Sequence, residues 1–211
     1  MITEYKSLTT YAEIEYIERK SRFIGIATPL QNSQEAEAFV QEQQERFPDA
    51  NHHVFAWIII KPQRVQRFSD AGEPQGTAGL PVFDVLDKQG LVQAGIVVVR
   101  YFGGIKLGSG GLVRAYGKTA SLAVEKAKPI LWINHRTFQL TCDYSNAEKV
   151  RYQLSTLGYH QTEPVYTDQV SWQVAIKPDQ EEIFVALLKD ITSDNIVIKK
   201  GKMKEFPISI Q

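Results

Sequence analysis

A chain of 211 residues, 43% hydrophobic and 10% aromatic, has the composition of a folded protein and is long enough for one large domain or two small ones. Its 24 Lys and Arg balance 24 Asp and Glu, which excludes a global positive field; affinity for a polyanion must come from local segregation of charge. A single cysteine, Cys142, excludes an internal disulfide and a cysteine-built zinc cluster, while the polar opening MITEYKSLTT and the lack of any long apolar run point to a cytoplasmic protein without a membrane segment.

In chain order, Ala12, Ile14 and Tyr16 alternate with charged residues, and Phe23, Ile24 and Ile26 follow a break at Lys20-Ser21-Arg22, so two strands are expected between Tyr11 and Leu30. Ser33 is placed to cap a helix running to about Phe47, with Ala36, Phe39, Val40 and Gln43 on its apolar face. His53 to Ile60 reads as a buried strand. Thr77 to Lys88 reads as a short helix with Thr77 as its cap and Pro81 in its first turn. Gly95 to Tyr101 is a buried strand, and Ser109 to Lys126 a long helix ended by Pro129. Beyond it the strands His135 to Cys142, Tyr159 to Tyr166, Val170 to Ile176 and Ile196 to Phe206 interleave with helices Asn146 to Leu157 and Asp179 to Leu188. That βαββαβ order is the ferredoxin-like arrangement. Two α+β domains are therefore expected, residues 1–132 and 135–211.

Eleven of the fourteen glycines fall between Asp70 and Lys118. The run GGIKLGSGG, Gly103 to Gly111, joins a strand to a helix N-terminus, where unpaired amides and the helix dipole favour an anion. Walker A spacing fails, because five residues rather than four separate Gly111 from Gly117-Lys118-Thr119; the dinucleotide fingerprint fails because Val113 stands where a glycine is required. What remains is a nest of amides that binds oxyanions without naming them. Arg100, Lys106, Arg114 and Lys118 bring cations to it, and Arg114 and Lys118 lie early in the helix, where the dipole disfavours a cation unless an anion is present. The competing reading is that these cations pair with Asp70, Glu73 or Asp84. Candidate phosphate contacts are Arg100, Tyr101, Gly103, Gly104, Lys106, Gly108, Ser109, Gly110, Gly111, Arg114 and Lys118, with Tyr101, Phe102 or Tyr116 able to stack on bases.

Asp70, Glu73 and Thr77 form a second polar cluster, either an acid–base or magnesium-binding pair or, more simply, turn and cap chemistry. His52 and His53 open a strand and should face opposite ways; with only His135 and His160 elsewhere, no metal or cofactor site is expected. Cys142 reads as a small core residue rather than a nucleophile.

As a set, RFSDAGEPQGTAGLPVFDVL and VVVRYFGGIKLGSGGLVRAYGKTA resemble the IMPACT family, in its bacterial two-domain, YigZ-type branch. The resemblance implies a first domain similar to the second domain of a small-subunit ribosomal protein and a second similar to the C-terminal domain of elongation factor G. Eukaryotic members restrain a translation-initiation stress kinase and carry an extra N-terminal domain, so that role does not transfer. Val54 stands where many relatives carry a cysteine. The leading expectation is a non-enzymatic regulator associated with translation, binding RNA or a ribosomal surface through the glycine-rich basic segment. The alternatives are an enzyme or sensor for a nucleotide or phosphorylated metabolite, using Asp70 and Glu73, and a module that contacts an acidic protein partner.

Overall fold

The computed structural model describes residues 4–209, with side chains through residue 207; the extreme ends of the two expected domains, residues 1–3 and 210–211, lie outside the described residues. Among the described residues the chain divides into two compact units, Tyr5–Leu131 with Ser209, and Trp132–Ile208 with Glu4. Both are α+β.

In the first unit, β1 (Glu4–Leu8) runs beside Leu91 to Gln93, held by Val92 N–H donating to the Lys6 carbonyl and by Ser7 Oγ donating to the Gln93 carbonyl. A five-stranded antiparallel sheet follows, in the order β2 (Ala12–Glu18), β3 (Ser21–Pro29), β6 (Ala94–Tyr101), β4 (His52–Ile59) and β5 (Val65–Ser69). The central strand β6 is buried over seven of its eight residues, as its unbroken apolar run requires. Helix α1 (Ser33–Arg46) covers one face through Phe39 and Val40, packed with Ile24, Trp57, Val97 and Val99. Helices α2 (Gly79–Lys88) and α3 (Ser109–Ala127) cover the other, burying Val82, Leu86, Tyr116 and Ala120 on Phe23, Val54, Ile96 and Val98.

Local chemistry corrects two expected caps. Asn32, not Ser33, caps α1, its side chain accepting from Glu35 N–H at 2.9 Å. Thr77 does not cap α2; its hydroxyl donates to the Pro74 carbonyl at 2.6 Å. Asp70 takes over that role from nine residues upstream, its carboxylate accepting from Gly79 N–H at 2.8 Å, Ala78 N–H at 3.0 Å and Gly76 N–H at 2.8 Å.

The second unit takes β7 (Pro129–Cys142), which begins in the first, then α4 (Tyr144–Thr156), β8 (His160–Gln161), β9 (Val165–Tyr166), β10 (Val170–Ile176), α5 (Glu181–Thr192) and β11 (Val197–Ser209). Its sheet has the ferredoxin-like order β11-β7-β10-β8, with β9 also on β10, and β1 also pairs with β7 to make six strands. Phe138, Leu140, Trp172 and Val174 pack beneath Val150, Leu154, Phe184 and Leu188. The single strand expected from Tyr159 to Tyr166 is instead two short pieces, and Pro164, which has no N–H for a ladder, lies in the interruption.

Candidate functional site

The glycine-rich segment leaves β6 and enters α3. Its first anchor is a close backbone approach: a Cβ on Gly103 would lie 2.0 Å from the Lys20 carbonyl carbon, so only glycine lets this segment rest on the β2–β3 turn. Gly103 N–H donates to Ser21 Oγ at 3.2 Å, and Phe102 N–H to Asn51 Oδ1 at 2.7 Å. That turn is Arg19-Lys20, both residues at positive φ (46° and 65°), a conformation that two-residue hairpins usually assign to Asn and Gly.

At the other end Gly108, at φ 71°, opens α3 with no side-chain cap. The first bond of the helix is Leu112 N–H to the Gly108 carbonyl, so the amides of Ser109, Gly110 and Gly111 have no acceptor among the described residues, and the first turn holds no acidic residue. These amides adjoin a cleft of about 480 Å³ lined by Asn51, His52, Glu73, Arg100, Phe102, Lys106 and Ser109, among others. On the other side of Leu107 and Gly111 lies a groove of about 440 Å³, lined by Tyr16, Glu18, Arg19, Arg114 and Lys118. Arg19, Lys106, Arg114 and Lys118 have no carboxylate within ion-pair distance among the described residues. The expected competitors are engaged elsewhere: Asp84 holds Lys88 at 2.7 Å, Asp70 caps α2, and Glu73 holds Arg100. A larger hollow beside α1 is lined by Glu37 and Glu45, with its Arg67 paired to Glu37, and offers an anion nothing.

Not every expected contact reaches the loop surface. Arg100 is 5% exposed, its guanidinium Nη1 donating to Glu73 Oε1 at 2.5 Å and lying 5.4 Å from the Phe23 ring; its charge is met inside the protein. Tyr116 is fully buried and donates to the same Glu73 oxygen at 2.7 Å, which removes it as a stacking surface. Burial first, and then the Glu73 charge, pushes its phenol well above the usual value, so it remains a donor. Tyr101 points to the opposite sheet face, packed with the α1 layer and donating to Asp49 Oδ1 at 2.9 Å. Gly104, Lys106, Gly108, Ser109, Gly110, Arg114 and Lys118 are all exposed, and Gly103 and Gly111 half-buried.

Asp70 and Glu73 do not form a free carboxylate pair. Burial disfavours the Asp70 charge, but the three backbone donors outweigh it and hold the carboxyl below its ordinary range. Among the described residues no group of three or more His, Cys, Asp or Glu could hold a metal, and no helix is long and apolar enough to cross a membrane. Burial followed by the neighbouring Asp143 pushes the buried Cys142 thiol up to about 11.

Sequence reasoning missed His52 as part of the cleft wall. Its Nδ1 lies 2.9 Å from the Ala71 carbonyl, which can only accept, so Nδ1 carries the hydrogen; Nε2 lies 3.8 Å from Glu73 Oε1. The alternation in β4 carried the signal, because the residue two before the buried Val54 must share its face. His53 faces the other way, its Nε2 2.9 Å from the Phe47 carbonyl. Arg19 was missed because its turn lacks the glycine that marks such turns.

Comparison with known proteins now places this geometry. The Impact N-terminal domain model matches residues 19–124, which hold the whole cleft lining and all of the groove's except Tyr16 and Glu18, and a domain of unknown function, DUF1949, matches residues 140–195. The IMPACT family member YvyE of Bacillus subtilis is 32% identical over 96% of this chain and 94% of its own length. The chain belongs to the IMPACT family. Another IMPACT member, YigZ of Escherichia coli, is 41% identical over 60% of this chain and 63% of its own. A solved structure titled as a hypothetical protein shares the fold at a TM-score of 0.60 and 29% identity, covering 96% of the IMPACT chain described here and 99% of that chain.

Proposed function

We infer that this IMPACT protein is a cytoplasmic, non-enzymatic regulator associated with translation, and that it binds RNA through the first domain. The observation that carries this reading is the N-terminus of α3: three amides without acceptors among the described residues, no acidic residue in the first turn, Lys106 beside them, and Arg19, Arg114 and Lys118 in or beside the adjoining groove with no ion pair among those residues. An anion held there by amides and helix dipole satisfies donors that otherwise have only water. It also removes the conflict of Arg114 and Lys118 lying at the positive end of the helix. The groove and the cleft flank the same short stretch, Leu107 to Gly111, so successive phosphates of one strand have a place on either side of it. Family membership supplies the translation context.

The test is fluorescence anisotropy of a short labelled single-stranded RNA against the intact protein and against a Lys106→Ala, Arg114→Ala double variant. Binding should weaken by at least tenfold in the variant at low salt, since two phosphate contacts are lost. Equal binding by the two proteins rejects the site.

A further inference from the structure

The cleft wall sets the donors of Lys106 and Ser109 among apolar Pro74, Phe102, Leu107 and Leu112, and it carries one carboxylate. Glu73 lines the cleft while its side chain is only 4% exposed, and its two oxygens have different surroundings. Oε1 accepts from Arg100 Nη1 and from the Tyr116 hydroxyl, with His52 Nε2 at 3.8 Å. Oε2 accepts from no group among the described residues. Oε2 is not sealed from solvent, and an acceptor held in a cleft wall with no donor from the protein is open to a ligand's hydrogen. Arg100 and Tyr116 both donate to the other oxygen, which holds the carboxylate in place and leaves Oε2 without a donor from the protein. That is the preorganisation a recognition group needs.

We propose that Glu73 Oε2 accepts a hydrogen bond from a ribose 2′-hydroxyl, so that the cleft is selective for ribose phosphate and takes RNA in preference to DNA. This rests on the anion-gripping reading of the α3 N-terminus given above. A phosphate has no hydrogen to offer the carboxylate and is repelled by it; a sugar hydroxyl next to the phosphate offers one. Donors for the phosphate and one acceptor for the sugar within a single cleft form the complement of a ribonucleotide unit. The helix N-terminus and the carboxylate are independent observations, one about charge and the other about hydrogen-bond direction.

The test needs no variant to begin. Five probes are compared by anisotropy competition on the intact protein: a short RNA, its 2′-deoxy counterpart, its 2′-fluoro counterpart, adenosine 5′-monophosphate and deoxyadenosine 5′-monophosphate. Fluorine preserves the RNA sugar pucker but cannot donate, so it separates a hydroxyl contact from shape. RNA should bind about tenfold more tightly than both counterparts, the worth of one hydrogen bond to a charged acceptor. In Glu73→Gln, followed by a melting curve to confirm folding, the gap between hydroxyl and fluoro probes should close. A 2′-fluoro strand that binds as tightly as RNA overturns the proposal and leaves the phosphate grip standing. Mononucleotides that discriminate ribose from deoxyribose while no oligomer binds support the ribose contact and reject RNA as the partner. Failure of every probe to bind overturns both.

Discussion

Asp70 shows how one side chain can organise a segment that looks catalytic. Its carboxylate gathers the amides of Gly76, Ala78 and Gly79, and its own carbonyl accepts from Glu73 N–H, so a single residue sets both the turn that presents Glu73 and the start of α2. Asp70→Ala should therefore cost about 1–2 kcal/mol of stability at neutral pH, the usual worth of a lost cap, as read from denaturant midpoints. The sign of the pH dependence follows from the direction of the shift. Because the folded carboxyl titrates below its unfolded value, the contribution is complete above the ordinary aspartate range and is lost as pH falls through the folded value. Below about pH 4 the stability difference between the two proteins should narrow. A gap that stays constant down to acid pH would show that the carboxylate charge has no part in the cap. Spacing could not reveal this role: a cap from nine residues away is tertiary, whereas Thr77 stood where a local cap would stand.

Among the elements, regular periodicity made most of the fold legible and irregular backbone hid the rest. The βαββαβ order of the second domain followed from alternation and from 3.6-residue faces. The strands β1 and β5 did not, since both are five residues long and partly exposed, with too few apolar positions to display a period. Arg100 was read as a surface cation because it neighbours the glycine loop. Yet a charge inside the run VVVRY of a buried strand demands a buried partner, and strand parity sends Arg100 and Tyr101 to opposite faces. The Arg19-Lys20 turn is costly locally, because side chains at positive φ lose about 1 kcal/mol each relative to glycine. Replacing the pair by Asn-Gly, Arg19→Asn with Lys20→Gly, should raise stability by about 1 kcal/mol while weakening RNA binding through loss of Arg19. Thermal melting and anisotropy on the same preparation give the two signs. A variant that is both less stable and unchanged in binding contradicts the assignment of turn and groove alike.

At the scale of the whole molecule, a net charge of zero and a strongly localised positive region have a consequence that can be measured. Long-range steering is weak for such a protein, so the salt dependence of binding reports only the phosphates in direct contact. With Lys106, Arg19, Arg114 and Lys118 as the unpaired cations, and about 0.7 counterions released per contact on a single strand, log Kd plotted against log salt should have a slope near 3. Each cation removed should lower that slope by about 0.7. Arg100→Lys should leave it unchanged, because the Arg100 charge faces Glu73 and not the ligand. The slope thus separates cations that touch the nucleic acid from one that supports the cleft wall, a distinction that affinity alone blurs. A slope near zero would mean that binding, if present, is not governed by phosphates. A slope far above 3 would require further cations, and three lysines of β11, Lys199, Lys202 and Lys204, are exposed and without an ion pair among the described residues. Substituting those lysines with Ala would then restore the lower value.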